Sequence, residues 1–78
     1  MVTSYDYINK IKARIKEARI SKGLSVRIVA RELGVTTQCV YKWETMADSD
    51  LPSIDHLMDI CELYDVSADW LLFGVKEV

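Results

Sequence analysis

At 78 residues the chain holds one domain, with little margin for a hydrophobic core. Half of its residues are hydrophobic, only three are Gly and one is Pro, a balance that excludes a disordered chain. Net charge is −2 but unevenly placed: residues 1–45 carry nine Lys/Arg against four Asp/Glu, and residues 46–78 carry one against eight. The first half is therefore basic by five charges and the second acidic by seven. Such a polarised chain can orient on a polyanion, although charged helix faces also serve solubility alone. No apolar run approaches the roughly 20 residues that span a bilayer. The stretch MVTSYDYINK lacks the apolar segment of a signal peptide, so a cytoplasmic location is expected.

The first predicted helix runs from about Tyr7 to Lys22, with Asp6 or Ser4 as its cap. Ile8, Ile11, Ile15 and Ala18 form its apolar stripe, while Lys10, Lys12, Arg14 and Lys16 are assigned to the solvent side. Arg19 falls within roughly 20° of Ile8 on the helical wheel, on the apolar face. A guanidinium there needs a partner, because burying an unpaired charge is expensive.

Ser25 can cap a second helix over Val26–Leu33 by accepting from a free backbone N–H one turn on. Val29, Ala30 and Leu33 make its narrow inward stripe, and the small Ala30 lets a crossing helix come close. Gly34 can end the helix in a left-handed conformation at little steric cost. Val35 plugs the corner, and Thr36 caps a third helix over Thr37–Thr45. That order of residue types is the sequence form of a helix-turn-helix.

On the third helix Thr37, Gln38, Tyr41, Lys42 and Thr45 share an arc of about 140°. Thr36, Cys39, Val40, Trp43 and Glu44 fall on the opposite arc, and Trp43 is assigned to the core. Thr37, Gln38 and Lys42 are donors or acceptors of the kinds that read base edges in a major groove. Alone, this arc reads first as the solvated polar face of an ordinary amphipathic helix; beside the Ala30–Gly34–Val35–Trp43 framework it points to DNA.

Pro52 forces extended geometry on Leu51. Ser53 then caps a fourth helix whose Ile54, Leu57, Ile60, Cys61 and Tyr64 face inward. Ser67 caps a short fifth helix, Ala68–Phe73, ended by Gly74. Five short helices with brief connections give a compact all-α fold, a single domain over 1–78 with its core at about 7–74. Cys39 and Cys61 stand 22 residues apart with no CxxC or Cys/His cluster, so neither a metal site nor a cofactor is expected. Both read as structural thiols in a reducing compartment. His56 is the single histidine, and no nucleophile–base–orienter set can be drawn around it, so no enzyme is expected.

From Ile15 to Gly74, about three-quarters of the chain, the sequence resembles the Xre/Cro-type helix-turn-helix family, the lambda-repressor-like domains. The likeness rests on Arg14-Ile15, Ala18-Arg19, Lys22-Gly23-Leu24-Ser25, Val29-Ala30, Leu33-Gly34-Val35-Thr36 and Val40-Tyr41-Lys42-Trp43-Glu44. It continues through Leu51-Pro52, Leu57, Leu63 and the tail from Asp65 to Gly74.

The resemblance implies a lambda-repressor-like fold and a sequence-specific double-stranded DNA-binding regulator, a repressor that reads the major groove with the third helix. It puts Thr37, Gln38 and Lys42 where side chains reach base edges, and Thr36 and Tyr41 where they reach phosphate or a thymine methyl. Gln38 suits adenine N6 and N7, and Lys42 suits guanine O6/N7 or a phosphate. Tyr41 has a second reading as a cover for the helix junction. The family further implies a partly buried ion pair between Arg19 and Glu44, bracing the first helix against the third. It also implies binding as a homodimer to an inverted-repeat operator. The apolar stretch Trp70, Leu71, Leu72, Phe73, Val75 and Val78 is a candidate dimer surface, with packing inside the monomer as the alternative for Trp70 and Leu71.

Three departures separate this sequence from the family pattern. Val26 stands where a phosphate-gripping glutamine is common. Met46-Ala47-Asp48 replaces a Gly-Lys pair in a slightly longer loop, where Asp48 and Asp50 would repel a DNA backbone. Val26 and Ile28 are apolar at positions commonly polar, and exposed apolar residues beside a binding surface mark protein contacts. An alternative function is therefore a protein-partner-binding module, such as an antitoxin or anti-repressor, on the same fold.

Overall fold

Small polar residues and left-handed corners set the helix boundaries of this chain. A computed structural model describes residues 4–46 and 48–75. It contains α1 (Ser4–Ser21), α2 (Val26–Leu33), α3 (Thr37–Glu44), α4 (Ile54–Tyr64) and α5 (Ala68–Phe73). The fold is all-α and lambda-repressor-like, with no strand among the described residues. Ser25 Oγ accepts from the Ile28 amide at 3.1 Å, Thr36 Oγ1 from the Cys39 amide at 3.1 Å, and Ser67 Oγ from the Trp70 amide at 3.1 Å. Each hydroxyl satisfies one of the amides that a helix start leaves unpaired.

The corners follow the same economy. Gly34 takes φ 70° after α2, and the Val35 amide reaches back to the Ala30 carbonyl at 2.9 Å. This is the Schellman arrangement, which needs a left-handed residue and therefore favours glycine. Asp65 adopts φ 57° after α4, where the Val66 amide closes onto the Cys61 carbonyl at 3.0 Å. A short polar side chain tolerates that conformation better than a branched one. The end of α3 is different. Thr45 is extended there (φ −90°, ψ 120°), so no left-handed corner closes the last turn.

The core gathers residues from every helix. Ile15, Val29, Val40, Ile60 and Leu71 have no exposed surface, and Ala18, Val26, Ala30, Trp43 and Tyr64 are nearly as deep. Each fully buried aliphatic side chain contributes about 1.5–3 kcal/mol of transfer free energy. Helix α3 packs against both α1 and α2, while α5 packs against α1 and α4. The Ala30 side chain is buried at the α2–α3 crossing, where a short turn brings the two helices together. No described helix is long and apolar enough to cross a membrane.

Several expectations change. Helix α1 begins at Ser4 and ends at Ser21, and α3 ends one residue early, at Glu44. Lys12 is not on the solvent side: it is fully buried, and its ammonium donates to the carbonyls of Lys42 and Asp50. Arg14 is half-buried and donates to the Leu71 carbonyl at 3.2 Å. Ile54, the first residue of α4, is 73% exposed rather than inward, on the edge of an open hollow that it lines with Leu57, Met58 and Val66. Ser53 occupies the cap position of α4 without capping it; its hydroxyl binds the Asp55 carboxylate at 2.6 Å instead. Val26 is buried in the core, whereas Ile28, the other apolar residue at the start of α2, is exposed. Ala47 and Val78 lie outside the described residues.

Candidate nucleic-acid interface

The exposed face of α3 follows from which of its side chains the core takes. Val40, Trp43 and Glu44 point inward and are buried. With those three fixed, the 3.6-residue period leaves Thr37, Gln38, Tyr41 and Lys42 on the outside, and all four are exposed. Thr36 is exposed too, and its hydroxyl is held at the α3 N-terminus by the Cys39 amide. Four of the five thus share the outer side of one short helix, and Thr36 caps its start. Tyr41 is 57% exposed on this outer side.

Behind this face Arg19 and Glu44 meet in a two-point contact. Arg19 Nε donates to Glu44 Oε2 at 2.7 Å and Nη2 donates to Oε1 at 3.0 Å. A third donor, Nη1, reaches the Leu24 carbonyl at 2.8 Å. The side chains are only 12% and 5% exposed. Hydrogen bonding to Glu44 raises the Arg19 pKa further, against the opposing effect of burial. The guanidinium therefore stays charged and locks α1, the turn before α2, and the last turn of α3 together. Tyr64 lies within electrostatic reach of this pair. Desolvation first, and the Glu44 charge second, push its phenol well above the usual tyrosine range. Its hydroxyl is buried with no hydrogen-bond partner among the described residues.

Cations around the face divide into two groups. Lys12, Arg14 and Arg19 are turned inward onto carbonyls or a carboxylate. Arg27 and Arg31 are exposed on α2 and, with Ser25 and Ile28, line a shallow concavity of about 400 Å³. Arg27 stands in the first turn of α2, whose free backbone amides suit an anion, and Arg31 in its last turn. Neither arginine figures among the sequence-based expectations; the signal for both is their four-residue spacing on the side of α2 away from the Val29–Ala30–Leu33 stripe. Lys42 is half exposed and its Nζ lies 4.0 Å from Asp50 Oδ2.

The missed residue with the clearest sequence signal is Lys12. It sits seven residues before Arg19, about 20° away on the wheel, and four after Ile8. Its buried position therefore follows from the same periodicity that singled out Arg19. Burial pulls the Lys12 pKa down, while the nearby Asp48 and Asp50 charges pull it up.

Neither a curated protein nor a solved structure significantly matches the chain. A helix-turn-helix family model does match, over residues 15–71, which takes in every helix but the first part of α1 and the end of α5. The matched span contains the buried Arg19–Glu44 brace, the Gly34 corner and the whole exposed face of α3. This chain therefore belongs to the helix-turn-helix family of the Xre and lambda-repressor type, a family of DNA-binding regulators.

Proposed function

We propose that this protein is a sequence-specific repressor that inserts α3 into the major groove of duplex DNA and occludes a promoter. The observation that carries the reading is the exposure of Thr37, Gln38, Tyr41 and Lys42 on a helix whose other side is locked by Val40, Trp43 and Glu44. Gln38 presents an amide suited to a two-point contact with adenine, and Lys42 a donor suited to guanine or phosphate. Thr37 reaches a base edge, while Thr36 and Tyr41 meet phosphate or a thymine methyl. Arg27, in the first turn of α2, and Arg31, in its last, add phosphate contacts.

One such helix reads only a few base pairs, so the protein binds as a homodimer to an inverted repeat. Half-sites one helical turn apart, about 34–36 Å, match that symmetry. Phe73 and Val75, 68% and 57% exposed, belong to the apolar C-terminal surface through which two copies meet. The regulator works in the cytoplasm, without a metal or cofactor.

Selection of bound sequences from a random duplex pool tests this reading. An inverted-repeat motif, with binding that weakens steeply as salt rises, supports it. A second reading, a module for a protein partner, draws on the exposed Ile54 and Met58 of α4 (73% and 66%). Recovery of no motif, with salt-insensitive binding to a protein, favours that alternative.

A further inference from the structure

Helix α3 ends without a left-handed corner, yet its last carbonyls are not left to solvent. Thr45 Oγ1 donates back to the Tyr41 carbonyl at 2.7 Å, and the Lys12 ammonium donates to the Lys42 carbonyl at 2.5 Å. A cation at a helix C-terminus also meets the negative end of the helix dipole. The same ammonium donates to the Asp50 carbonyl at 2.5 Å. One buried group from α1 thereby ties the last turn of α3 to the loop that follows it. Asp50 is a further point of that loop's order, since its amide donates to Asp48 Oδ1 at 2.8 Å.

This tether has a consequence at the surface. With its backbone held from below, Asp50 carries its carboxylate outward, where Oδ2 lies 4.0 Å from Lys42 Nζ. Both side chains are more than half exposed, so the contact is weak and exchangeable. A DNA phosphate would approach Lys42 in the same region, and a carboxylate there both neutralises the lysine and repels the phosphate. We propose that Asp50, anchored through its carbonyl by Lys12, is an internal competitor for Lys42 that attenuates the grip of α3 on the DNA backbone. Lys12 is the positioning residue of this arrangement and Asp50 the residue that acts. The inference rests on the reading of α3 as the DNA-contacting helix.

The test is a salt titration of binding to a fluorescent random-sequence duplex, for the full chain and three variants: Asp50→Asn, Lys42→Gln and the two combined. Asp50→Asn should tighten binding about fivefold at low salt, the scale of one exposed ion pair. It should also steepen the slope of log K against log salt by about 0.9, one more phosphate neutralised. In the Lys42→Gln background Asp50→Asn should leave the slope unchanged, because no lysine remains to be released. An Asp50→Asn protein that binds like the parent overturns the proposal while leaving the DNA reading intact. An equal gain in both backgrounds also overturns it, since that is general charge removal. Absence of duplex binding by every variant at low salt removes the DNA reading and the proposal with it.

Discussion

The inner face of α1 and the outer face of α3 both place cations beside carboxylates or carbonyls, with opposite outcomes. Arg19 meets Glu44 at 2.7 Å with side chains 12% and 5% exposed; Lys42 meets Asp50 at 4.0 Å with side chains 52% and 60% exposed. The first pair is desolvated, two-pronged and further fixed by the Leu24 carbonyl. The second has no such restraint on its side chains. Desolvation turns a charge into architecture, because an unpaired buried ion costs several kcal/mol. A solvated charge stays exchangeable and so remains available to a ligand. The basic half of the chain is thus less basic toward solvent than its nine cations suggest, since Lys12, Arg14 and Arg19 are committed to the scaffold.

The largest expected effect that sharpens this contrast is on the buried pair. Glu44→Gln should lower folding stability by about 3–5 kcal/mol, read from chemical denaturation, because it leaves the Arg19 charge buried without a counter-ion. A variant as stable as the parent would break the distinction between the two regions. Next comes Gly74, which takes φ 73° at the end of α5 under the Arg14 guanidinium. A Cβ there would meet Arg14 Nη2 at 2.6 Å, displacing the side chain from the Leu71 carbonyl. With the left-handed strain added, Gly74→Ala should cost about 1–2 kcal/mol in a thermal melt.

On the outer face the sign of the experiment reverses. Lys42→Ala should leave stability within about 0.5 kcal/mol of the parent. It should weaken duplex binding modestly and change the salt slope by much less than one, because Asp50 already offsets Lys42 in the parent. The full loss of about 1 should come when Lys42 is removed from the Asp50→Asn protein. The smallest effect at neutral pH belongs to Tyr64. Its buried hydroxyl has no partner among the described residues, so Tyr64→Phe should change stability by less than about 0.5 kcal/mol there. At alkaline pH the two proteins should separate. Above the ordinary tyrosine value of 10.0, the unfolded chain gives up the phenolic proton while the folded chain keeps it. The folded state then binds more protons, so this group's contribution falls as pH rises, by up to about 1.4 kcal/mol per pH unit. Denaturation at pH 11 should find Tyr64→Phe more stable than the parent.

Much of the fold was legible because local rules and global packing agree. Ser25, Gly34, Thr36, Ser67 and Gly74 stand where a cap or left-handed corner is required, and the chain uses each of them. The inward stripe of α2 and the burial of Trp43 follow from the 3.6-residue period alone. Exposure of Thr37, Gln38, Tyr41 and Lys42 was readable for the same reason. Periodicity failed where residue type was allowed to override it: Lys12 and Arg14 were placed in solvent because they are charged. Long cationic side chains can bury their stems and deliver the charged head to a carbonyl. Ser53 and Ile54 illustrate a different gap: a competing carboxylate two residues on takes the serine hydroxyl, and the exposure of the first residue of α4 depends on tertiary packing. The role of Val26 also turned on tertiary packing, which draws the first residue of α2 into the core.

The most direct measurement follows the backbone amides of isotope-labelled protein by NMR while a duplex carrying the selected site is added. The expected result is a set of shifts concentrated on the start of α2 and on Thr36 to Lys42, with little change at Ile54 and Met58. Shifts confined to α4 and α5, with α3 unmoved, would contradict the assignment of α3 as the reading helix.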